Sequence, residues 1–145
     1  MIVRRATIDD LPELLRLGEL MRRESLEVFP EIDPAYTRKI AESALGITEY
    51  AVFILEDDGV IGMLTCLSAG NVFSPERYAL NDLIFIQPDK RGIRAFKMLL
   101  DAYVSWADER GLHDKRLSVG TRKDLSPLMS RFGFRPIGMN FRRVD

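Results

Sequence analysis

The chain has little of several features that define specialised protein classes. Cys66 is the only cysteine, so no internal disulfide can form, and the sequence fits a reducing compartment. No apolar stretch approaches the roughly 20 residues of a membrane-spanning helix, and the first residues lack a signal-peptide core. We therefore expect a cytoplasmic protein without a membrane partner. The 145 residues, 46% hydrophobic and 30% charged, predict one domain over residues 1–145.

Histidine and groups of potential metal ligands are also scarce, which limits the kinds of catalysis that the sequence can support. His113 is the only histidine and falls in a predicted helix-to-strand turn, where we expect an exposed loop residue rather than a catalytic base. No cluster of histidine and cysteine predicts a metal site. The formal net charge of -1 argues against broad attraction to nucleic acid. Cys66 lies in an apolar run, which favours a buried core residue over a nucleophile.

The apolar and turn patterns predict the element order β-α-α-β-β-β-α-β-α-β. Strands are predicted over residues 2–6, 50–55, 60–67, 79–86, 116–119 and 137–144. Helices are predicted from the first turn at Pro12 to about residue 25 and over residues 36–44, 91–110 and 126–133. Asp58-Gly59 between two apolar runs indicates a β-hairpin, and the spacing of Asp10 and Glu13 suggests a capping box. The pattern is that of an α/β domain with a mixed sheet.

The most informative segment runs from Asp82 to Phe96. A buried strand ends there, a short turn carries lysine, arginine and glycine, and a long helix begins. Unpaired backbone N–H groups and the helix dipole at such a start favour an anion such as a phosphate. The residues alone leave a second interpretation open, in which this is a solvated basic turn with a helix-starting glycine.

Four motifs in order resemble the GNAT acetyltransferase superfamily over nearly the whole chain. The turn Pro88-x-x-Arg91-Gly92 matches the coenzyme signature of that family, and Met98-Leu99-Leu100 follows without a gap. The other three are Arg4-x-Ala6-x-x-x-Asp10, Gly59-Val60-Ile61-Gly62 and the closing run from Arg131 to Gly138. The chain is most similar to a compact subgroup with an Arg-Gly-x-Arg-Ala turn, associated with phage and prophage genes.

The resemblance implies a GNAT fold, a mixed and mostly antiparallel sheet splayed between strands 4 and 5 and flanked by helices. It implies acetyl-CoA as cosubstrate and no metal. Backbone groups of the fourth strand, at Ile84, Phe85 and Ile86, would meet the acetyl-pantetheine arm. The turn would hold the pyrophosphate through Lys90, Arg91, Gly92, Ile93, Arg94, Ala95 and Phe96. Arg94 and Phe96 stand where the signature has glycine or alanine.

The resemblance also implies direct attack of an amine on the thioester, with Asp82 as general base. The alternative role for Asp82 is a solubilising or capping carboxylate at the strand end. The usual tyrosine acid of the family is replaced by Met129, and Tyr78 in the preceding loop is the candidate substitute. A thiolate with a pKa of about 8.5 can also leave without obligatory protonation.

For the acceptor site, the resemblance implies the first two helices and the loop before the fourth strand. The candidate residues there are Glu24, Ser25, Phe29 and Phe73. An acidic surplus suits a cationic small-molecule or protein amine such as a polyamine, an aminoglycoside or a lysine side chain. Acidic helix surfaces are also common without any such role. A homodimer is a further expectation from the superfamily.

Three functions remain open from the sequence. An acetyl-CoA-dependent N-acetyltransferase leads. A catalytically weak or inactive GNAT-like domain, which binds coenzyme A or a protein partner, is the alternative that Met129, Arg94 and Phe96 support. A nucleic-acid-binding turn comes third, because no aromatic stacking residues are interleaved with its basic side chains.

Overall fold

The computed structural model describes residues 1–25, 30–120 and 123–143 of the chain. Its five-stranded sheet has the order β1-β2-β3-β4-β5, so each strand lies beside its neighbour in sequence. The strands are β1 (Ile2–Arg5), β2 (Tyr50–Glu56), β3 (Val60–Ala69), β4 (Tyr78–Ile86) and β5 (Lys115–Arg116). The first three pairings are antiparallel, and β4 pairs with β5 in parallel. This is the α/β architecture with a mixed sheet that the sequence predicts.

Four α-helices flank the sheet. They are α1 (Leu11–Glu24), α2 (Pro34–Ala44), α3 (Ile93–Glu109) and α4 (Ser126–Arg131). The sheet faces α3 on one side, while α1 and α2 lie on the other side. None of these helices in the described ranges is long and apolar enough to cross a membrane.

Strand alternation divides the apolar residues of β2 between two cores. Ala51, Phe53 and Leu55 face α3, where Leu99 and Trp106 are almost fully buried. Val52 and Ile54 face α1 and its buried Leu17. The long apolar run of β2 therefore indicates a strand that is covered on both faces.

The end of the chain differs from the sequence-based expectation. The predicted strand over residues 137–144 is not formed in the described part, residues 137–143, and Val144 lies outside it. Ile137, Met139 and Phe141 alternate as in a strand, but are 73%, 81% and 89% exposed. The expected fifth strand over 116–119 is likewise reduced to Lys115–Arg116.

Arg4 and Asp10 form the ion pair that fixes the entrance to α1. The two guanidinium Nη atoms of Arg4 donate to the Asp10 carboxylate at 2.9 and 2.8 Å, and Glu56 accepts a further bond from Arg4. The Thr7 N–H also donates to Asp10, at 2.8 Å. The capping box therefore pairs Thr7 with Asp10, and the expected pairing of Asp10 with Glu13 is wrong. The hydrogen bonds from Arg4, more than any other contact, lower the pKa of Asp10.

We expect Asp10→Asn to lower the free energy of unfolding at pH 7 by about 1–2 kcal/mol, because charged hydrogen bonds are lost. The folded-state pKa of Asp10 is lowered, so its stabilisation is full above about pH 4 and is lost as pH falls through that pKa. Urea unfolding of both proteins at pH 7, 5 and 3 should show the difference shrinking with pH. Asp9→Asn, at the exposed neighbour, is the matched control and should behave as wild type; an equal loss in both variants contradicts the assignment.

Candidate active site

The pairing between β4 and β5 is interrupted after two residues. Ala79 lies opposite Lys115 and Leu80 opposite Arg116, and the ladder ends there. The next residue, Asn81, is 2% exposed and spans the gap with its side chain. Its Nδ2 donates to the Ser118 carbonyl at 2.8 Å, and the Ser118 N–H donates to its Oδ1 at 2.6 Å. The side-chain amide thus replaces backbone pairing and holds the two strands apart beyond this point.

A β-bulge follows immediately at Asp82. The register places Asn81 opposite Cys66 and Leu83 opposite Thr65, so Asp82 has no partner on β3. The Leu83 N–H donates to the Thr65 hydroxyl at 3.1 Å. The extra residue shifts the alternation, which turns Leu83 to the face of α1 while Asn81 faces α3. Asp82 itself is exposed at this distortion.

Beyond the bulge, β4 directs backbone groups to its β5 side, and among the described residues only the Ile86 carbonyl has a hydrogen-bond partner there. The Gln87 N–H donates to the Ile61 carbonyl on β3 at 2.9 Å. Since direction alternates along an antiparallel strand, Phe85 also faces β3, while Ile84 and Ile86 face away from it. The Ile86 carbonyl accepts from Arg91 Nε at 2.9 Å. Ile84 is therefore left with its N–H and C=O directed into the opening between the strands.

The first turn of α3 lies next along the chain. A short 3-10 turn, Pro88–Lys90, connects β4 to it, and Gly92 is the N-cap residue. Gly92 has φ 178°, extended backbone that any residue adopts, and a Cβ added there would meet nothing within 4 Å. The N–H groups of Ile93, Arg94 and Ala95 belong to the first turn, where no intrahelical partner exists. This turn can receive an anion on open, unstrained backbone.

Arg91, predicted to help hold the pyrophosphate, pairs with a residue of α1 in this structure. Its guanidinium forms a two-pronged ion pair with Glu24 at the end of α1, with Nη1 to Oε1 at 2.8 Å. It also lies over the Phe85 ring, 5.5 Å from the centroid. This pairing raises the pKa of Arg91 and lowers that of Glu24. The ion pair holds the end of α1 against the turn. The Glu24 carboxylate is therefore already bound by Arg91 at the position where it was predicted to contact the acceptor amine.

The other residues of the turn divide between solvent and core. Lys90 and Arg94 are exposed, and Ile93 is 51% exposed. Ala95 is buried, and Phe96 packs on Phe132 with ring centroids 5.9 Å apart. The Phe96 N–H donates to the Gly92 carbonyl at 3.0 Å, so this amide is not available to a ligand. Phe96 is therefore half-buried and packs against the core near the end of α4.

Two hydroxyl residues near Asp82 were missed by the sequence analysis. Tyr50 and Thr65 lie on the α1 face of the sheet, beside Leu83. Burial raises the pKa of the Tyr50 hydroxyl, a hydrogen bond from Thr65 opposes this, and the negative charge of Asp82 adds to it. Tyr50 therefore keeps its proton near neutral pH. No motif marks Tyr50, because its position depends on the pairing of β2, β3 and β4.

Tyr78 does not lie beside Asp82. It begins β4, four residues before Asp82 and so roughly 13 Å away along the strand. Arg116 covers its ring, with the guanidinium carbon 3.9 Å from the centroid. Met129, which occupies the position of the usual tyrosine acid, is 8% exposed in the core. Neither residue presents a proton donor at the opening.

Two of the remaining acceptor candidates, Ser25 and Phe73, lie in the described residues. Ser25 ends α1, where its N–H bonds to the Met21 and Arg22 carbonyls. Phe73 is 94% exposed in the loop before β4, and Phe29 lies outside the described residues. The three described candidates therefore lie on two segments, with Glu24 and Ser25 at the end of α1 and Phe73 in the loop before β4.

Cys66 and His113 take the places expected of them. Cys66 is fully buried, and burial raises the pKa of its thiol to about 12, which makes it a poor nucleophile. His113 is exposed in the turn before β5. Within the described ranges, no group of three or more potential ligands is arranged to hold a metal ion.

The parallel strands β4 and β5 separate after two residues, a bulge follows in the pairing of β4 with β3, and an open helix start comes next; these features fit an acyl-coenzyme transferase domain. The sequence model of the Acetyltransferase (GNAT) family matches residues 14–134. The chain belongs to this family. Among curated proteins, no sequence matches it.

Solved structures share the fold at low sequence identity. A protein of Agrobacterium tumefaciens with a provisional assignment as an acetyltransferase superposes with a TM-score of 0.79 at 17% identity, over 100% of both chains. A Trypanosoma brucei acetyltransferase gives 0.76 at 16% identity, over 98% of this chain and 97% of that one. An aminoglycoside acetyltransferase from an uncultured soil metagenomic sample, solved with sisomicin, gives 0.74 at 18%, covering 98% and 94%. At these identities the likeness establishes the GNAT fold.

Asn81→Ala should lower the free energy of unfolding by about 1–3 kcal/mol, because both hydrogen bonds between its side-chain amide and the Ser118 backbone are lost. Amide hydrogen exchange should show that Ser118 loses protection. The control is Asn71→Ala, which removes caps to Phe73 and Ser74 in an exposed loop. It should leave Ser118 protection intact; unchanged protection in Asn81→Ala contradicts the bridging role.

Proposed function

We propose that the protein is an N-acetyltransferase that moves the acetyl group of acetyl-CoA directly to a primary amine. The observation that carries this proposal is the continuous path along β4. It leads from the exposed carboxylate of Asp82, past the outward-facing backbone of Ile84, to the open first turn of α3. The GNAT family uses acetyl-CoA as cosubstrate. The path matches the parts of that molecule in order, with thioester, pantetheine and pyrophosphate on successive sites.

The residues fit the coenzyme at three points. The N–H groups of Ile93, Arg94 and Ala95 receive the pyrophosphate, with positive charge from the exposed Lys90 and Arg94 side chains. The open space above Gly92 admits phosphate oxygens close to the backbone. The Ile84 backbone pairs with the amide groups of the pantetheine arm, much as a neighbouring strand would. Arg91 supports the turn through Glu24 and donates its backbone N–H alone.

In the reaction, the amine nitrogen attacks the thioester carbonyl carbon and its lone pair forms the new C–N bond. The carbonyl oxygen gathers negative charge, which a backbone N–H at the opening stabilises by about 3 kcal/mol in related acyl transfers. The C–S bond then breaks, its electron pair leaves with the coenzyme thiolate, and the attacking nitrogen loses its extra proton to solvent to give the neutral amide. A thiolate with a pKa of about 8.5 leaves without a protein acid, in keeping with the buried Met129.

Asp82 is the proposed general base. An alkylammonium with a pKa of about 10.4 is neutral in roughly one molecule per thousand near pH 7.4, so proton removal limits an unassisted reaction. The Asp82 carboxylate is exposed at the bulge, where the opening between the strands meets the α1 face. It takes the ammonium proton directly or through one water. Tyr50, which keeps its own proton, does not compete for this role.

The non-catalytic alternative loses part of its support. It rested on Arg94, Phe96 and Met129. Phe96 packs into the core and Arg94 is exposed, so neither side chain fills the space above Gly92. Only Met129 still favours a module that binds coenzyme A without turnover. Membership of the phage-like subgroup stays a prediction from the Arg-Gly-x-Arg-Ala turn.

We expect Gly92→Glu to weaken acetyl-CoA binding by about tenfold or more, because a carboxylate then faces the pyrophosphate. Calorimetric titration with acetyl-CoA measures this. The added Cβ meets nothing within 4 Å and the backbone is unstrained, so the variant should fold normally. Gly46→Glu, at another exposed glycine with open space, is the control. Normal affinity in a folded Gly92→Glu protein refutes the placement of the pyrophosphate.

Asp82→Asn should reduce kcat/KM for an alkylamine at pH 7 by about 100-fold, the usual range for a lost general base. The deficit should shrink towards pH 10, because more of the amine is then neutral in solution. Thiol release followed across this pH range gives the profile. Glu76→Gln, at an exposed loop carboxylate, is the control and should match wild type. A constant deficit at every pH would make Asp82 a structural or binding residue.

A further inference from the structure

A cavity of about 360 Å³ lies between α2 and the sheet, and the proposed chemistry does not use it. Its floor is the α1 face of the sheet, formed by Tyr50, Val52, Met63, Thr65 and Leu83. One wall is the apolar side of α1, including Leu14 and Met21, and α2 forms the roof. This volume lies within the range of small-molecule sites and is far larger than ordinary packing defects.

Helix α2 lies over this face of the sheet, but its side chains do not fill the cavity. None of the residues of α2 is buried, although its apolar side chains Ile40, Ala41 and Ala44 face the cavity. Tyr36 and Ile40 remain 63% and 45% exposed. Amphipathic helices normally bury an apolar stripe against the core, whereas the stripe of α2 remains partly exposed. The site is accordingly shaped for a guest that supplies the missing apolar contacts.

The segment before α2 packs closely on α1. A Cβ added at Gly18 would lie 3.0 Å from Cδ1 of Ile32, so Ile32 sits directly on the helix backbone. Asp33 then caps α2 by accepting from the Tyr36 N–H at 3.0 Å. These contacts seat residues 30–33 against α1 and fix where α2 begins. They set the height of the roof above the sheet.

The charges around the cavity select against a polycation. Its acidic lining residues in the described ranges are Glu31 and Asp33, both exposed at the rim. Asp33 is occupied as the cap of α2, and Glu24 is bound by Arg91. A second ammonium group inside would lose its water with no partner, which is costly. Among the described acidic residues, only Glu31 and Asp33 line this cavity, and both lie at its rim.

The floor leads to the proposed base. Leu83 and Thr65 line the cavity and lie next to the bulge at Asp82, whose charge acts on the Tyr50 hydroxyl. An amine at this edge would contact Asp82 while its substituent extends under α2. Resting on the proposed function, we infer that the acceptor is a monoamine with an apolar arm, about the size of a phenyl ring on two or three methylenes. An engineered cavity of about 150 Å³ already binds benzene, so about 360 Å³ accommodates the ring and its chain.

The test compares initial rates for 2-phenylethylamine, ethylamine and spermidine at saturating acetyl-CoA. We expect kcat/KM for 2-phenylethylamine to exceed that for each of the other two by about tenfold or more, because the ring becomes buried. A preference for spermidine, or equal rates for 2-phenylethylamine and ethylamine, overturns the inference.

Ala41→Phe fills the cavity from the roof. It should raise KM for 2-phenylethylamine by about tenfold while the KM for ethylamine and the Kd of acetyl-CoA stay within about twofold. Ser43→Phe adds the same side chain on the exposed side of α2 and should resemble wild type. If Ala41→Phe does not fold, Ala44→Leu replaces it. Equal losses for both amines, or a loss in Ser43→Phe as well, contradict a cavity-bound arm.

Failure of the proposed function has a different signature. If acetyl-CoA binds but no amine is acetylated, calorimetric titration with 2-phenylethylamine still tests the cavity. Binding to wild type that is lost in Ala41→Phe and kept in Ser43→Phe supports the apolar site in a non-catalytic protein. No binding to wild type overturns the inference as well.

Discussion

The side-chain bridge between Asn81 and Ser118 is the interaction on which the site depends. Two parallel strands in a sheet normally pair along their length, which would cover the outer edge of β4. Here a buried amide satisfies the backbone of Ser118 and ends the ladder after Leu80. The bulge at Asp82 follows at once and turns the later residues of β4. One polar side chain and one extra residue thus free the backbone of Ile84 and expose a carboxylate beside it.

Long-range contacts hold the surroundings of this opening in place. Arg91 and Glu24 join the start of α3 to the end of α1, across the edge of the sheet. Arg4 and Asp10 fix the other end of α1 to β1. The helix is therefore fixed at both ends, and its apolar side forms a stable wall of the cavity beneath α2. Helix α1 therefore supports both the turn at the start of α3 and the cavity beneath α2.

Local patterns were sufficient to predict most elements, because the apolar periods of β2, β3 and α3 agree with their burial. The anion-binding turn at Gly92 was also predictable, because the residues that form it are consecutive in the sequence. Tyr50, Thr65 and Asn81 were not, because their roles arise from strand register and from one side chain reaching a distant backbone. Arg91 shows the converse: its motif was recognised, but its ion pair with Glu24 depends on tertiary packing. The predicted strand over residues 137–144 is not formed in its described part, because an alternating sequence does not by itself supply a neighbouring strand to pair with.

Thermal unfolding with and without excess acetyl-CoA tests the central claim most directly, because it needs no knowledge of the acceptor. A ligand at about 100 times its dissociation constant adds about 2.7 kcal/mol of stability, which shifts a domain of this size by several degrees. We predict such a shift with acetyl-CoA and with free coenzyme A. No shift with either at millimolar concentration would contradict the claim that the opening along β4 and the first turn of α3 form a coenzyme site.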